Sequence, residues 1–408
     1  MTTINTLSSY RWVVFCVWSI SSVSFNMMLY SLGVLLPSIS ADINLSPSQQ
    51  GLLGSASLWG NITLAIPLSW AASRLSPKWT TAATISLGTA CLFLQSWAPG
   101  FAVLLLGRLL FGIGQIAQQP TRALLTRQWF PPHEVVIANG LGNVFFGLVV
   151  GGGLALSPLI LEAVGGEWRT TLRLFGVYFA VLALIWVVLG KERNTVEYEQ
   201  ARDSGDVSIV RGALQYRDLW LCGIGFAGAS MSLGGFMAFY PTFMLEEFDL
   251  SIRLSGSILA VGVIVGGISG LWLGYAAASA SREPLYLEVL GLLMVGSYIG
   301  MVLTGSAPLL WVLTFFNGIA WGFFPILLTV PFNLRGIRPQ ELAVAYGFTI
   351  MFVSFGASMG PLFVGLLQDA TGDLRLALLL VSLASVSLVG AGMKIRFGDW
   401  LSAVEHRR

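Results

Sequence analysis

Charged residues are scarce in this chain: they make up 10% of its 408 residues, whereas 55% are hydrophobic. Soluble domains carry roughly 25% charged residues, so a soluble protein of this size is excluded. A mean hydropathy of +0.77 likewise excludes a disordered chain. The composition instead predicts an all-α protein that crosses a lipid bilayer many times.

Cysteine and histidine are also scarce, which limits the chemistry of the chain. The three cysteines, Cys16, Cys91 and Cys222, lie in apolar runs. An odd number of cysteines in such runs predicts that the chain has no disulfide framework. The two histidines, His133 and His406, lie in polar stretches, so histidine and cysteine do not cluster as metal ligands. We therefore expect no metal, no cofactor, no enzymatic activity and no nucleic-acid partner.

Apolar runs of about 20 residues, the length of a membrane-spanning helix, recur along the whole chain. We predict twelve spans, with approximate limits 11–39, 48–72, 79–97, 101–126, 135–160, 171–190, 218–245, 254–280, 285–304, 308–332, 341–367 and 373–395. The largest interruption, residues 191–217, carries charges of both signs and predicts a cytoplasmic linker. It separates a six-helix bundle at residues 1–190 from a second at 218–408, which ends in a short cytoplasmic tail.

The two halves repeat each other at an offset of 204 to 207 residues. The matched pairs are Pro37 with Pro241, Gly51 with Gly256, Pro132 with Pro339 and Gly140 with Gly347. Internal repeats are common in transporter-sized membrane chains. The repetition therefore predicts two pseudo-symmetric bundles with the same orientation.

The distribution of basic residues predicts which side faces the cytoplasm. If both termini are cytoplasmic, only four of the 22 lysines and arginines, Arg169, Arg173, Arg253 and Arg375, fall on the other side. Positive charge concentrates on the cytoplasmic side of membrane proteins, so we expect both termini there, in a cytoplasmic (inner) membrane. The inner face is hereafter the side on which the first span begins, and the outer face is the opposite side.

The segment Gly107–Gly114 in the fourth span, GRLLFGIG, is similar to the Arg-x-x-x-Gly-x-Gly motif of the major facilitator superfamily. Behind it, WFPPHE at 129–134 resembles the family's inner loop between spans four and five. The resemblance implies two bundles around a central site that is exposed alternately to each side. It also implies a gating loop after span two, where Arg74 and Lys78 keep the basic residues but Ser73 replaces the usual acid.

The spans contain no carboxylate near their middle, since all 20 aspartates and glutamates fall in loops or near span ends. Positive charge is present: Arg108, Gln115, Gln119 and Arg122 share one face of span four, about 60° wide at 100° per residue. An ionisable group in a span indicates function by default. Two structural alternatives stay open, namely that Arg108 bonds carbonyls of a neighbouring helix and that Arg122 extends to the inner interface.

Further polar residues are candidates for lining a substrate path. Asn26 and Tyr30 in span one, and Asn317 in span ten, lie in the spans that line the cavity of the resembled family. The alternative is that they form hydrogen bonds between helices, worth about 1 kcal/mol each. Gly262, with three further glycines at intervals of four residues, predicts close packing of span eight rather than a ligand site.

The absence of membrane carboxylate and the presence of membrane arginine favour a secondary transporter for a small organic anion. Arg108 or Arg122 would pair with the anion. Export of neutral or amphipathic compounds is one alternative, and a membrane sensor that does not transport is another. We expect the protein to be a monomer. Transport of the substrate together with a coupling proton and transport without coupling both stay open.

Overall fold

A computed structural model describes residues 9–64, 76–130, 134–191, 214–280, 282–334 and 339–395, with single residues 212 and 337 between them. Over these ranges the chain is helical and has no β-strand. The first six helices are α1 (Tyr10–Ile43), α2 (Pro47–Thr63), α3 (Pro77–Ser96), α4 (Phe101–Trp129), α5 (Val135–Ala163) and α6 (Trp168–Leu189).

The second half supplies six further helical elements. They are α7 (Arg217–Phe248), α8 (Ile252–Ala280), α9 (Glu283–Leu303), α10 (Ala307–Ala320, continued by Phe323–Leu328 and a 3₁₀ turn at Val330–Asn333), α11 (Pro339–Thr371) and α12 (Leu374–Ser382, a 3₁₀ turn at Leu383–Ser385, and Val386–Lys394). Each predicted span falls on one of these elements. The all-helical prediction is thus confirmed for the described residues.

Nine of the described helices are long and apolar enough to cross a membrane: α1 and α5 to α12. The other three are more polar or shorter. The described part of α2 has 17 residues, α3 carries four threonines, and α4 is apolar over Phe101–Gln115, the part of it whose side chains are continuously described. Polar content of this kind is tolerated in a bundle where it faces other helices rather than lipid.

Local sequence sets several helix boundaries. Ser46 begins α2 with a capping box: its side chain accepts from the Gln49 amide, and the Gln49 side chain accepts from the Ser46 amide. In both halves the first long helix contains a proline and ends in a left-handed residue, at Asn44 (φ 52°) in α1 and at Asp249 (φ 53°) in α7. These two ends are 205 residues apart, in the range of the sequence repeat.

The two halves are in close contact near the outer face. Gly33 of α1 lies against Met237 of α7, where a Cβ would be 2.9 Å from the Met237 carbonyl carbon. Gly51 of α2 lies against Pro361 of α11 in the same way, with 3.1 Å to the carbonyl carbon. We call these two contacts the outer seal. They close the outer side of the bundle, because only glycine permits this backbone approach.

The glycine series of α8 packs against α10, as the sequence predicted. A Cβ on Gly262 would be 2.8 Å from Cγ2 of Thr314, and a Cβ on Gly274 would be 3.1 Å from Pro325. Small residues let helices approach closely in a membrane. The series therefore serves helix packing.

Candidate functional site

Arg108 lies in the outer half of α4 and is 1% exposed. Its Nη1 donates to the carbonyl oxygen of Met28 in α1, at 3.4 Å. Its Nε and Nη2 are buried and have no hydrogen-bond partner. No carboxylate among the described residues pairs with it. The site thus holds a buried positive charge with two of its three nitrogens unused.

The glycines of the GRLLFGIG segment hold Arg108 in this position. Gly112 lets α4 approach the backbone of α2, since a Cβ there would be 2.8 Å from the carbonyl carbon of Ser57. The Ser57 hydroxyl donates to the Arg108 carbonyl oxygen at 3.2 Å. On the other side, a Cβ on Gly107 would be 2.5 Å from Cγ of Gln95 in α3. The motif therefore fixes α4 between two neighbours, and the arginine is buried as a consequence.

Gln115 lies two turns along α4 from Arg108, and the structure brings it together with Asn26 of α1. Its Nε2 donates to Oδ1 of Asn26 at 3.0 Å. Its Oε1 is buried without a partner. Two of the predicted site residues thus join α1 to α4 by a hydrogen bond. This is the alternative role, a bond between helices, that the sequence left open for Asn26. The free acceptor on Gln115 leaves one group able to bind a ligand.

Tyr30 is half-buried and lines a small cavity between the two halves that is partly open to solvent. The walls come from α1, α2, α7 and α11 and include Leu58, Gly234, Met237 and Ala357. This lining is apolar apart from the tyrosine. The cavity therefore cannot neutralise a charge by itself.

Asn317 belongs to a polar cluster in the second half. It is 7% exposed, and its Nδ2 donates to the Ser297 hydroxyl at 2.9 Å. Tyr298, which follows Ser297, has its hydroxyl near the Asn317 amide and the Trp321 indole but completes a hydrogen bond with neither. Tyr298 is the site residue that sequence reasoning missed. A single tyrosine in an apolar span carries no pattern that would distinguish it.

Three predicted residues cannot be placed in this site. Arg74 lies outside the described residues, and so do the side chains of Gln119 and Arg122. Lys78 is near the start of α3, with its ammonium 5.5 Å from the centroid of the Trp79 ring. The proposed gating pair is thus described at one member only.

The placement of charged side chains among the described residues agrees with the sequence prediction that the spans hold arginine but no central carboxylate. Its buried charged side chains are Arg108 and Glu341. Glu341 is the third residue of α11, at the inner end of that helix. The described residues therefore place no carboxylate near the middle of a span to oppose Arg108.

Comparison with known proteins identifies relatives that are transporters. The chain is 23% identical over 367 residues to a hexuronate transporter of Bacillus subtilis (strain 168), a match that covers 86% of each protein. It is 25% identical over 391 residues to a probable L-galactonate transporter of Escherichia coli (strain K12), covering 86% of this chain and 81% of that one. It is 24% identical over 382 residues to the probable nitrate transporter NarT of Staphylococcus carnosus (strain TM300), covering 91% and 92%.

Solved structures share the fold. A bacterial homologue of the human lysosomal transporter Spinster, in an inward-facing and unoccupied conformation, has a TM-score of 0.75 at 18% identity, over 95% of both chains. The nucleoside transporter NupG has a TM-score of 0.76 at 14% identity, over 95% of this chain and 99% of the other. The family profile of the Major Facilitator Superfamily matches residues 18–361. With most of its length matched, the chain belongs to the Major Facilitator Superfamily, as a multi-pass membrane protein whose relatives are transporters.

Proposed function

We propose that this protein is a secondary active transporter that moves a small organic anion, a carboxylate, across the cytoplasmic membrane by alternating access. Arg108 binds the carboxylate, and Gln115, with Asn26 behind it, lines the path. We further propose that both termini are cytoplasmic, that residues 1–190 and 218–408 form the two moving bundles, and that the monomer is the working unit.

The observation that carries this proposal is the state of the Arg108 guanidinium. A buried hydrogen-bonding group without a partner costs about 1–3 kcal/mol, and more if it is charged. Here Nε and Nη2 are both unpaired. These two nitrogens lie side by side in the guanidinium fork and match the two oxygens of a carboxylate. A carboxylate that pairs with both nitrogens would therefore remove this cost.

The relatives support an anion as the substrate. Hexuronate, L-galactonate and nitrate, the solutes in the names of three relatives, are all anions. A cation exporter would instead need a carboxylate in the bundle, and none faces Arg108 among the described residues. The charge of the site and the names of the relatives thus favour the same class of solute.

The test is uptake of labelled carboxylates into proteoliposomes that contain the purified protein. In Arg108→Gln we expect uptake to fall at least about 30-fold, because loss of one partner of a buried charge pair costs 2 kcal/mol or more. Arg108→Lys keeps the charge but not the fork, so its uptake should be intermediate. An imposed pH gradient in the same assay distinguishes proton-coupled from uncoupled movement.

Arg253→Gln is the matched control, because Arg253 is exposed at the second residue of α8 and the change removes the same charge. It should transport like the parent protein. Arg122→Gln is measured in parallel as the other candidate. Normal uptake in both Arg108→Gln and Arg122→Gln would refute the proposed anion site.

A further inference from the structure

We propose that Tyr298 and Trp321 form a second binding subsite, in the half of the protein opposite Arg108, and that it binds a hydroxyl group of the substrate. The substrate would then be a hydroxylated carboxylate rather than a simple one. This inference rests on the proposed function, because it assigns the end of the substrate that Arg108 does not hold.

The subsite consists of buried polar groups that have no partner. Tyr298 is 2% exposed, and its ring packs on Phe236 with the centroids 4.2 Å apart. Its hydroxyl and the indole nitrogen of Trp321 both lack a hydrogen bond, although each is near the other. Asn317 beside them already donates to Ser297. Two donors are therefore held in place by packing, with their hydrogen-bonding capacity free.

The same half satisfies its other fully buried tyrosine. Tyr240 donates its hydroxyl to the carbonyl oxygen of Met301 at 2.7 Å. Buried polar groups in folded proteins are generally paired, and each exception calls for an explanation. Of these two fully buried tyrosines, Tyr298 alone has no hydrogen-bond partner. A ligand hydroxyl explains it, since that group would supply both a donor and an acceptor.

The two subsites lie at a similar depth in the bundle. Arg108 bonds the carbonyl of Met28 in α1, and Tyr30 follows two residues later, about 3 Å further along the helix axis. Tyr298 packs on Phe236 of α7, and the next residue of α7, Met237, lies against Gly33 of α1, three residues after Tyr30. One stretch of α1, from Met28 to Gly33, therefore contacts the guanidinium in the first half and, in the second half, the segment of α7 on which Tyr298 packs.

This arrangement excludes two kinds of anion as preferred substrates. Nitrate could pair with the guanidinium but is too small to reach a second subsite across α1. An unsubstituted fatty acid could extend across, but it would leave the Tyr298 and Trp321 donors buried and unpaired. A site built to bind a hydroxyl rejects the analogue that lacks it far more strongly than an apolar site rejects an extra hydroxyl.

The experiment compares gluconate, hexanoate and nitrate, which share one negative charge, as ligands of the purified full-length protein. Gluconate and hexanoate also share six carbons, so they differ in hydroxyl groups alone. Binding is measured by calorimetry, and exchange is measured by counterflow in proteoliposomes. The variants are Tyr298→Phe and Trp321→Phe, and Tyr240→Phe is the control because it also removes one buried hydroxyl from this half.

We expect the parent protein to bind gluconate at least about tenfold more tightly than hexanoate or nitrate. Tyr298→Phe, which keeps the ring that packs on Phe236, should lose about tenfold in gluconate affinity and leave hexanoate unchanged. Tyr240→Phe should keep the preference. Equal binding of gluconate and hexanoate by the parent, or an unchanged preference in both Tyr298→Phe and Trp321→Phe, would overturn the inference.

Arg108→Gln separates the two proposals. If it abolishes binding of all three anions while the parent has no preference for gluconate, the proposed function stands and the hydroxyl subsite is wrong. If the parent binds none of the three anions, both are wrong. If Arg108→Gln keeps the gluconate preference at full affinity, the anion site is wrong and the hydroxyl subsite stands.

Discussion

Substitution of Gly33 by alanine should open the outer side of the protein. In the closed arrangement a Cβ at this position would be 2.9 Å from the Met237 carbonyl carbon and 3.1 Å from Cα of Ala238, and nearer still to the Met237 oxygen. These are backbone atoms, so no side-chain rotation relieves the overlap. The helices α1 and α7 would have to separate by about 1.5 Å or more, because the Met237 oxygen, the nearest atom, must reach an ordinary contact distance.

The size of the effect follows from the cost of this separation. Inserting one methyl group into a well-packed contact typically costs about 1–3 kcal/mol. That cost applies when the outer seal is closed and disappears when the halves part at the outer face. The ratio of outer-open to outer-closed protein should therefore rise by about 5- to 150-fold.

The assay is labelling of a cysteine behind the seal. Leu29 lines the cavity between the halves, is buried, and lies one turn to the inner side of Gly33 in α1. Leu29→Cys, in a chain whose three native cysteines are replaced, should react slowly with a membrane-impermeant maleimide added at the outer face. Adding Gly33→Ala should accelerate the reaction, whereas the control Gly152→Ala, with open space around its Cβ position, should not. Equal labelling rates in the Gly33→Ala and Gly152→Ala proteins would refute the role of the seal.

Two smaller effects are expected at polar contacts. Asp369 at the end of α11 accepts from the backbone amide of Ser48 at 2.9 Å, and a carboxylate at a helix N-terminus contributes about 0.5 kcal/mol at an exposed site. Asp369→Ala should therefore raise outer labelling about twofold, and Asp369→Asn, which keeps the acceptor but loses the charge, should raise it less. A parent rate in Asp369→Ala would contradict this. Gln115→Leu removes the amide that donates to Asn26 Oδ1 at 3.0 Å, so it should lower the free energy of unfolding by about 1 kcal/mol. The measurement is thermal unfolding in detergent, and an unchanged midpoint would contradict the prediction.

The sequence was sufficient to predict features that depend on neighbouring residues. Apolar runs of bilayer length predicted where helices lie, and the four-residue spacing from Gly262 to Gly274 predicted the close packing of α8 that the structure has against α10. The position of Arg108 within a span was also predictable, because apolar residues lie on either side of it in the sequence. These inferences need only the period of the helix and the cost of charge in lipid.

Contacts between distant residues could not be predicted in this way. The partner of Asn26 is Gln115, 89 positions away, and hydrophobic periodicity gives a face of a helix but not the helix that it meets. Tyr298 was missed for the same reason. Its significance depends on lacking a partner while Tyr240 has one, and that difference exists only after the helices have packed.

Arg108 connects substrate recognition to closure of the outer side. Under the proposed function, the guanidinium in the outer-closed protein is 1% exposed and has two unpaired nitrogens, so the empty closed state carries their desolvation cost. In an outer-open state that admits water to Arg108, water can bond the same nitrogens and the cost is smaller. A carboxylate that pairs with them therefore stabilises the closed state more than the open one. A ligand can shift a conformational equilibrium only by such a difference in affinity, and the bound anion would thus favour closure behind it.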